Sequence, residues 1–435
     1  MKRISIARRA QPGCGAMALI ILAMAPIEPA FAQNIGDRTI YMSDALARAL
    51  DNNPAVSASL AEVDALNADA AMAGRWDNPT LSAEVEDFGG DRNGWGDADT
   101  TVSVSQVVPL GGDRRWAYRT ERAWADAAAV ESAAIRAELL ADTARAHIDA
   151  YAASETYAVR LELLETAQRT ADAINARVDA GRASPIERRR AEVLIARASI
   201  ALSEAERARI GAIQSLAAIW GGANLDGQLA SPLEGLNLDA IASMSHDEVL
   251  SSNLQLAQLR AASTASGYQV RRERASAIPD VTIGAGARRF GGSDEVAYLA
   301  TIELPIPVIN QNRDGIRAAL SRENGARFDE EATRRSLLRE FAQAASRFAQ
   351  SKVSVTQLEE SVLPASRDAF SAAQEAYGEG AMDLLDLLDI QRTYFDVRID
   401  LIAARAALAR AAIDIDLLAG APSLSVMAST TVEEG

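Results

Sequence analysis

Two hydrophobic patterns alternate along the chain, and each occurs twice. Over residues 114–179 apolar residues recur every three or four positions without a proline, which predicts one long α-helix. At roughly 1.5 Å per residue, this helix would be about 100 Å long. A second pattern of this kind covers residues 314–377 and contains one proline, Pro364. A shorter helical pattern follows each long one after a glycine, at Gly181 and Gly380.

Segments in which apolar and polar residues alternate precede each long helix and predict two β-hairpins. TLSAEVE, residues 80–86, alternates at every position, and TVSVSQV, residues 101–107, alternates through Val102, Val104 and Gln106. A loop rich in Gly, Asn and Asp joins them. VTIGAGAR, from residue 281, and VAYLATIEL, from residue 296, predict the second hairpin, although glycines weaken its alternation.

The two patterns therefore predict two repeats about 199 residues apart. Each repeat consists of a helix, a hairpin and two long helices. Two units indicate a duplication rather than a solenoid. The predicted units, in order, are a cleaved export signal at 1–32; a first repeat at 33–222, with a hairpin at about 80–109 and helices at about 112–180 and 185–220; a linker at 223–243; a second repeat at 244–420, with a hairpin at about 280–305 and helices at about 312–378 and 383–419; and a tail at 421–435.

The export signal is predicted from a basic start, an apolar run and a small-residue cleavage motif. Basic residues at positions 2, 3, 8 and 9 precede the apolar run 16–25, and Ala30 and Ala32 form an A-x-A motif before Gln33. The run is too short for a good membrane span. The chain's one cysteine, Cys14, lies before this motif, so we expect no disulfide and no thiolate site in the mature chain.

Charge and composition exclude several classes of function. The chain has 44 basic and 60 acidic residues, a balance opposite to the basic face that nucleic acid requires. Its two histidines, His147 and His246, lie far apart, and no nucleophile, acid–base pair or set of metal ligands is recognisable. We therefore predict neither an enzyme, nor a cofactor, nor a metal site.

The two hairpins supply four strands, which are too few to close a barrel. In lipid, an open sheet edge would leave backbone groups unpaired at a cost of several kcal/mol each. Membrane barrels begin at about eight strands, so two chains would give eight and three would give twelve. A membrane location therefore predicts an oligomer, whereas a water-soluble helical protein with two surface hairpins stays open as the alternative.

Two segments resemble the TolC-type outer-membrane efflux family, and the similarity covers about 44–420. SQVVPLGGDRRW, residues 105–116, is similar to a signature of its CzcC-like, cobalt–zinc–cadmium branch, with Asp113 where Lys is usual. LPIPVINQNRDGIRAA, residues 304–319, resembles the counterpart in the second repeat. The resemblance implies an α+β membrane protein: a homotrimer whose twelve-stranded β-barrel in outer-membrane lipid continues as a periplasmic α-helical barrel.

The resemblance also implies a function and partners. The channel would be the passive exit duct of a tripartite efflux system for heavy-metal cations, with a periplasmic adaptor (a membrane fusion protein) and an RND-type inner-membrane pump. Two alternatives stay open: a duct for drugs or secreted polypeptides, and a periplasmic coiled-coil spacer without a transport role. We expect the adaptor to dock at the two helical turns, which consist of Gly181, Arg182, Ala183 and Ser184 and of Gly380, Ala381, Met382 and Asp383.

The segment GAMDLLDLLDIQRTYFD, residues 380–396, places Asp383, Asp386 and Asp389 at every third position. Such a stripe is the usual pattern of a solvated helix face, with Asp383 as the helix cap. The resemblance implies a second interpretation, in which Asp386 and Asp389 line the periplasmic entrance as rings of three carboxylates. It also assigns Glu187 and Tyr377 to this gate, whereas Met382 stands where some members carry a basic partner.

Overall fold

The computed structural model describes residues 39–89, 94–223, 225, 227–293 and 295–430. The predicted export signal, residues 1–32, therefore lies outside the described residues, as do residues 431–435 of the predicted tail. The elements follow in the order β1 (Thr39–Ile40), α1 (Met42–Asn52), α2 (Pro54–Ala73), β2 (Thr80–Glu86), a 3₁₀ turn (Gly94–Asp97), β3 (Asp99–Val108), α3 (Asp113–Asp179), α4 (Pro185–Ala218), β4 (Gln228–Leu229), α5 (Leu238–Ala242), α6 (His246–Ser252), α7 (Leu254–Ala275), β5 (Val281–Arg289), β6 (Val296–Glu303), α8 (Arg313–Gln357), a π turn (Leu358–Val362), α9 (Leu363–Glu379), α10 (Leu384–Leu418) and α11 (Pro422–Thr430).

The two hairpins join into one antiparallel sheet with the strand order β2-β3-β5-β6. The register aligns Ala83 with Val102, Val102 with Ala287, and Ala287 with Tyr298, so the apolar positions of all four strands share one face. Tyr298 is 88% exposed on this face. The other face is mostly polar, and Ser103 there lies 2.8 Å from Ser82, hydroxyl to hydroxyl. The alternation in the sequence thus predicts the two-faced character of the sheet correctly.

The glycine pair between β3 and α3 has a steric explanation. A Cβ at Gly111 would lie 2.2 Å from the carbonyl oxygen of Ala275, so only glycine lets the end of α7 approach this closely. Gly112 has a φ of 74°, in the left-handed region, and its carbonyl accepts the first hydrogen bonds of α3. The pair therefore marks the transition from strand to helix.

The long helix α3 is continuous over 67 residues, whereas its counterpart in the second repeat is interrupted. Pro364 has no N–H and cannot continue the regular pattern of α-helical hydrogen bonds. The π turn immediately before it absorbs this defect, because the N–H of Leu363 donates to the carbonyl of Leu358, five residues back. Among the described residues, no helix combines the length and the apolar character that a membrane crossing requires.

Equivalent asparagines fix the short helices α2 and α7 to the ends of α4 and α10. The Asn53 amide donates to the carbonyl of Ile219 over 2.8 Å, and the Asn253 amide donates to that of Leu418 over 2.9 Å. Each side-chain oxygen also caps the helix that follows it, at Ala55 and at Leu256. The same contact in both halves is structural evidence for an internal duplication.

Among the described residues, the largest core cluster lies around the middle of α3, where α1, α3, α8, α10 and α11 meet. Residues 422–430, within the segment predicted as a tail, form α11, and the fully buried Asp416 carboxylate accepts hydrogen bonds from the backbone N–H groups of Ser423 and Leu424. The predicted linker also contacts the first repeat, because its strand β4 pairs in parallel with β1. Within α3, His147 is fully buried with its Nε2 3.1 Å from the carbonyl of Ala230, which follows β4.

Candidate functional site at the helical tips

The tips of both helical hairpins are built by the same turn. At the end of α3 the N–H of Arg182 donates to the carbonyl of Arg177, and at the end of α9 the N–H of Ala381 donates to that of Ala376, both over 2.8 Å. Gly181 and Gly380 have φ angles of 69° and 82°, which glycine adopts without strain. The motif GxxS in the first repeat and the motif GxxD in the second therefore each encode a short turn, and these turns lead the chain into α4 and α10.

Both returning helices begin at a side-chain cap. The hydroxyl of Ser184 accepts a hydrogen bond from the N–H of Ile186, and the carboxylate of Glu187 accepts one from the N–H of Ser184, which closes a capping box. In the second repeat Asp383 accepts a hydrogen bond from the N–H of Asp386 over 2.9 Å. Glu187 and Asp383 thus have a structural role at the two tips, whatever further role they have.

An apolar cluster fills the space between the two tips and surrounds Tyr377. Its buried members are Ala171, Ile174, Ala191, Ala373, Tyr377, Leu384 and Leu387. Met382, at the position where the resemblance would place a basic residue, packs against this cluster. The contact at Met382 is therefore apolar, and any basic partner of Tyr377 must come from elsewhere.

Arg177, in the last turn of α3, supplies that basic group from the other repeat. Its Nη1 donates to the backbone carbonyl of Tyr377 over 2.6 Å. Its guanidinium carbon lies 4.6 Å from the centre of the Tyr377 ring, within the range of a cation–π contact. One side chain of the first repeat thus holds both the backbone and the ring of the second.

The hydroxyl of Tyr377 has no hydrogen-bond partner within the described chain, although the residue is only 5% exposed. Burial raises the pKa of this hydroxyl, the positive charge of Arg177 partly offsets the rise, and the nearby Glu187 adds to it. The hydroxyl is therefore neutral at physiological pH. The structure thus brings Glu187, Tyr377 and Arg177 together at one place.

Asp386 and Asp389 lie outside this cluster. Both are exposed on α10, and their spacing of three places them on one side of the helix. Their carboxylates make no hydrogen bond or ion pair within the described residues. A single chain therefore shows the exposed acidic stripe that the sequence predicts, and it leaves both carboxylates available to a partner or an ion.

A cleft of about 460 Å³ opens between α3, α4 and α10, next to the tips. Arg160, Arg190 and Arg197 line it, and none has a carboxylate partner in the part of the chain described. Gln391 also lines the cleft and is 2% exposed, yet neither its amide nitrogen nor its amide oxygen has a partner among the described residues. Buried amides are rarely left unpaired, so Gln391 is a polar group in the cleft wall that is not satisfied within the described residues.

Sequence reasoning missed Arg177 and this cleft. Arg177 stands 200 positions before Tyr377, and no local pattern connects them. The one available signal was a basic residue in the last turn of a predicted helix, a position that the helix dipole favours on its own. Among the described residues, no group of three or more His, Cys, Asp or Glu side chains is arranged to hold a metal ion.

Comparison with known proteins identifies the family. The model of the family described as outer membrane efflux protein matches residues 45–222 and 246–421. The chain belongs to this family. The two matched segments correspond to the two repeats, so the duplication in the sequence is a property of the efflux protein fold.

Relatives match this efflux protein along most of its length. The cobalt-zinc-cadmium resistance protein CzcC of Cupriavidus metallidurans is 29% identical over 388 residues, which are 88% of this chain and 90% of the relative. The nickel-cobalt-cadmium resistance protein NccC of Alcaligenes xylosoxydans xylosoxydans is 28% identical over 345 residues, 79% of this chain and 75% of the relative. The predicted resemblance to the CzcC-like branch is thereby confirmed.

A solved structure of CusC, studied for its folding and transmembrane channel formation, shares the fold. It superimposes with a TM-score of 0.74 at 18% identity and covers 89% of this chain and 94% of that one. The prediction of long helices combined with two hairpins is therefore confirmed. The protein is an efflux component of the outer membrane that extends into the periplasm.

Proposed function

We propose that this efflux protein is the exit duct for divalent heavy-metal cations in a tripartite system. One observation carries the choice of cargo: relatives named for cobalt, zinc, cadmium and nickel resistance match it over most of their length. The strongly acidic chain, with a net charge of −16, is compatible with a cationic cargo.

The sheet supports assembly into a trimer. Its outer strands, β2 and β6, each have one neighbour, so an isolated chain leaves two edges unpaired. Three copies would contribute twelve strands, and edge-to-edge pairing of β2 with a neighbour's β6 would remove every free edge. The exposed apolar face, which includes Leu81, Val104 and Ile302, would then contact lipid.

The helical tips would form the periplasmic gate of this trimer. Around a three-fold axis, Asp386 and Asp389 would each become a ring of three carboxylates, which attracts cations and repels anions. Arg177 and Tyr377 would hold the two hairpins of one protomer together in the closed state. Opening would then require the tip of α9 to separate from that of α3, which breaks the contacts between these two residues.

The adaptor would dock beside the gate, on the two turns and on the arginine-lined cleft. The turns, Gly181–Ser184 and Gly380–Asp383, are exposed at the ends of the hairpins, except for the half-buried Ala183 and Met382. The unpaired Arg160, Arg190 and Arg197 suit an acidic helix face, and Gln391 suits a polar side chain on it. Energy and ion selection would come from an inner-membrane pump of the RND type, and the duct itself would be passive.

Purified protein tests the proposal directly. Chemical cross-linking in detergent should give a trimer, and the trimer should conduct cations better than anions in planar lipid bilayers. A monomer without pores would favour the periplasmic spacer. A trimer with anion-selective or unselective pores would keep the channel but oppose the gate assigned to Asp386 and Asp389.

A further inference from the structure

A cage of arginine and aromatic side chains lies where the helices meet the sheet. Its members, on α3 and α7, are Arg115, Trp116, Arg119, Tyr268 and Arg271. The guanidinium carbons of Arg115, Arg119 and Arg271 lie 5.8, 5.0 and 5.2 Å from the centre of the Trp116 ring. Three cations thus surround one indole.

The second ring completes the cage and ties the two helices together. Tyr268 stacks near Trp116, with the ring centres 6.2 Å apart, and Arg271 lies 5.6 Å from the Tyr268 ring. A neighbouring pair repeats the chemistry, because Arg114 lies 4.3 Å above Trp76, a residue that is 53% exposed. The arrangement is therefore a basic and aromatic zone rather than a single contact.

Acidic residues lie close to the cage, but in the described part of the chain none of them pairs with a cage arginine. Arg272, the neighbour of Arg271, forms ion pairs with both Glu121, at 3.2 Å, and Asp113, at 4.0 Å. Glu273 accepts hydrogen bonds from Gln269 and Asn312. Within the described residues, Arg115, Arg119 and Arg271 make no ion pair, in a chain whose net charge is −16. This local excess of positive charge favours the binding of an anion from outside the chain.

Stacking leaves these arginines able to bind that anion. A guanidinium that lies over an aromatic ring uses its flat face, and its N–H groups stay free along the edge. That edge matches the geometry of a phosphate group, to which arginine donates two parallel hydrogen bonds. Arg115 and Arg271 are exposed, so a ligand can reach them.

The position of the cage selects the source of the phosphate. Trp116 is in the first turns of α3, and Arg271 is in the last turns of α7, both close to the end of the sheet where Val108 pairs with Val281. Tryptophan and tyrosine accumulate at membrane–water interfaces, and clustered arginines there attract anionic headgroups. The cage stands at the helical end of the sheet, and hence at the periplasmic leaflet if the sheet spans the membrane as proposed.

We propose that the cage binds the phosphate of an anionic phospholipid in the periplasmic leaflet and so fixes the depth of the channel in the membrane. The inference rests on the proposed position of the sheet, but not on the cargo or the gate. It assigns a lipid-binding role to residues that lie outside the proposed gate.

Native mass spectrometry of the purified trimer, released from detergent with added phosphatidylglycerol or phosphatidylcholine, tests this inference. Wild-type protein should retain phosphatidylglycerol about tenfold better than phosphatidylcholine. The triple variant R115Q/R119Q/R271Q should lose this preference. The matched variant R322Q/R334Q/R367Q removes the same charge from exposed positions on α8 and α9 and should keep it.

A second variant guards against misfolding. R115K/R119K/R271K retains the charge but loses the planar fork, so its preference should fall between those of wild type and the glutamine variant. Equal retention of the two lipids by wild type, or equal loss in the matched variant, would overturn the inference. Insertion into vesicles of phosphatidylcholine alone, measured in parallel, tests the proposed membrane position separately: failure there would remove the channel as well as the cage.

Discussion

Arg177 of the first repeat donates a hydrogen bond of 2.6 Å to the backbone carbonyl of Tyr377 in the second, and its guanidinium lies against the ring of the same tyrosine. The two residues stand 200 positions apart, at the ends of α3 and α9. Together with the apolar cluster around Tyr377, this contact joins the two helical hairpins at their tips.

Arg177→Ala should favour the open state of the proposed gate. The loss of one charge-assisted hydrogen bond and a cation–π contact removes about 1–2 kcal/mol from the closed state, which shifts a two-state equilibrium by roughly 5- to 30-fold. Single-channel recordings of the purified trimer should show a higher open probability.

Two matched variants make the test at Arg177 specific. Arg182→Ala removes an exposed arginine of the same turn and should leave the open probability unchanged. Tyr377→Phe keeps the ring and the carbonyl and removes only a hydroxyl that has no partner among the described residues, so it should also conduct like wild type. A gate that opens in Tyr377→Phe but not in Arg177→Ala would refute the role of Arg177.

The double variant D386N/D389N should lower the cation selectivity of the pore. In the proposed trimer these residues form two rings of three carboxylates, and their replacement by amides would remove the negative charge of the proposed gate while it keeps side-chain size. Reversal potentials in a salt gradient measure this change. The control D329N/D368N removes two exposed carboxylates from α8 and α9, and an equal loss of selectivity in the control would assign the effect to overall charge.

Gln391→Leu should separate an effect on adaptor docking from an effect on protein stability. The buried amide has no partner in the described chain, so its replacement by leucine should leave the melting temperature of the purified protein unchanged or raise it. If the adaptor supplies that partner, metal resistance of cells should fall at an equal protein level. Gln374→Leu, at an exposed position on α9, is the control, and full resistance in Gln391→Leu would remove the cleft from the docking surface.

The sequence predicts the parts of this fold that depend on local periodicity. The long helices follow from the spacing of apolar residues, the sheet face from alternation in segments such as 80–86, and the tip turns from Gly181 and Gly380. The sequence predicts that Pro364 disturbs the helix, but it does not predict the π turn before it. Proline removes a hydrogen bond without specifying how the helix adapts.

Contacts between distant segments lie beyond such patterns. No periodicity pairs Arg177 with Tyr377, places three arginines around Trp116, or shows that residues 422–430 pack as a helix against α1 and α3. Asp386 and Asp389 show the same limit in a different way, because their pattern is local but the contacts that would give it a function are not. Their stripe is obvious in the sequence, but the carboxylate rings proposed for it would need neighbouring copies of the chain.

His147 should make the protein less stable at mildly acidic pH. Because a carbonyl only accepts, Nε2 carries the proton shared with Ala230, and Nδ1 has no partner in the described residues. Burial lowers the pKa of His147, against smaller opposing effects of the Ala230 carbonyl and Asp44. Above about pH 6.5 the folded and unfolded chains are both neutral here, whereas below it only the unfolded chain takes up the proton.

Stability should therefore fall as the pH falls below about 6.5, by at most about 1.4 kcal/mol per pH unit for each chain. Thermal unfolding at several pH values measures this slope. His147→Gln keeps a donor near the position of Nε2 and does not titrate, so the slope should become shallower. An unchanged slope in the variant would assign the acid sensitivity to other groups.

The equivalent asparagines should contribute similarly to stability. Asn53→Ala and Asn253→Ala each remove a helix cap and a bond to a distant carbonyl, and each should cost about 1–2 kcal/mol. Thermal unfolding compares them with Asn52→Ala, whose exposed side chain bonds only within its own helix. A large cost at one site and none at the other would show that the two halves no longer use this contact in the same way.

Growth of a strain that lacks this protein, across graded zinc, cobalt, cadmium and nickel and a panel of lipophilic drugs, tests the central claim most directly. The account predicts sensitivity to the divalent metals that wild-type protein restores, with growth in the drugs unchanged. Sensitivity to the drugs without sensitivity to any of the metals would contradict it.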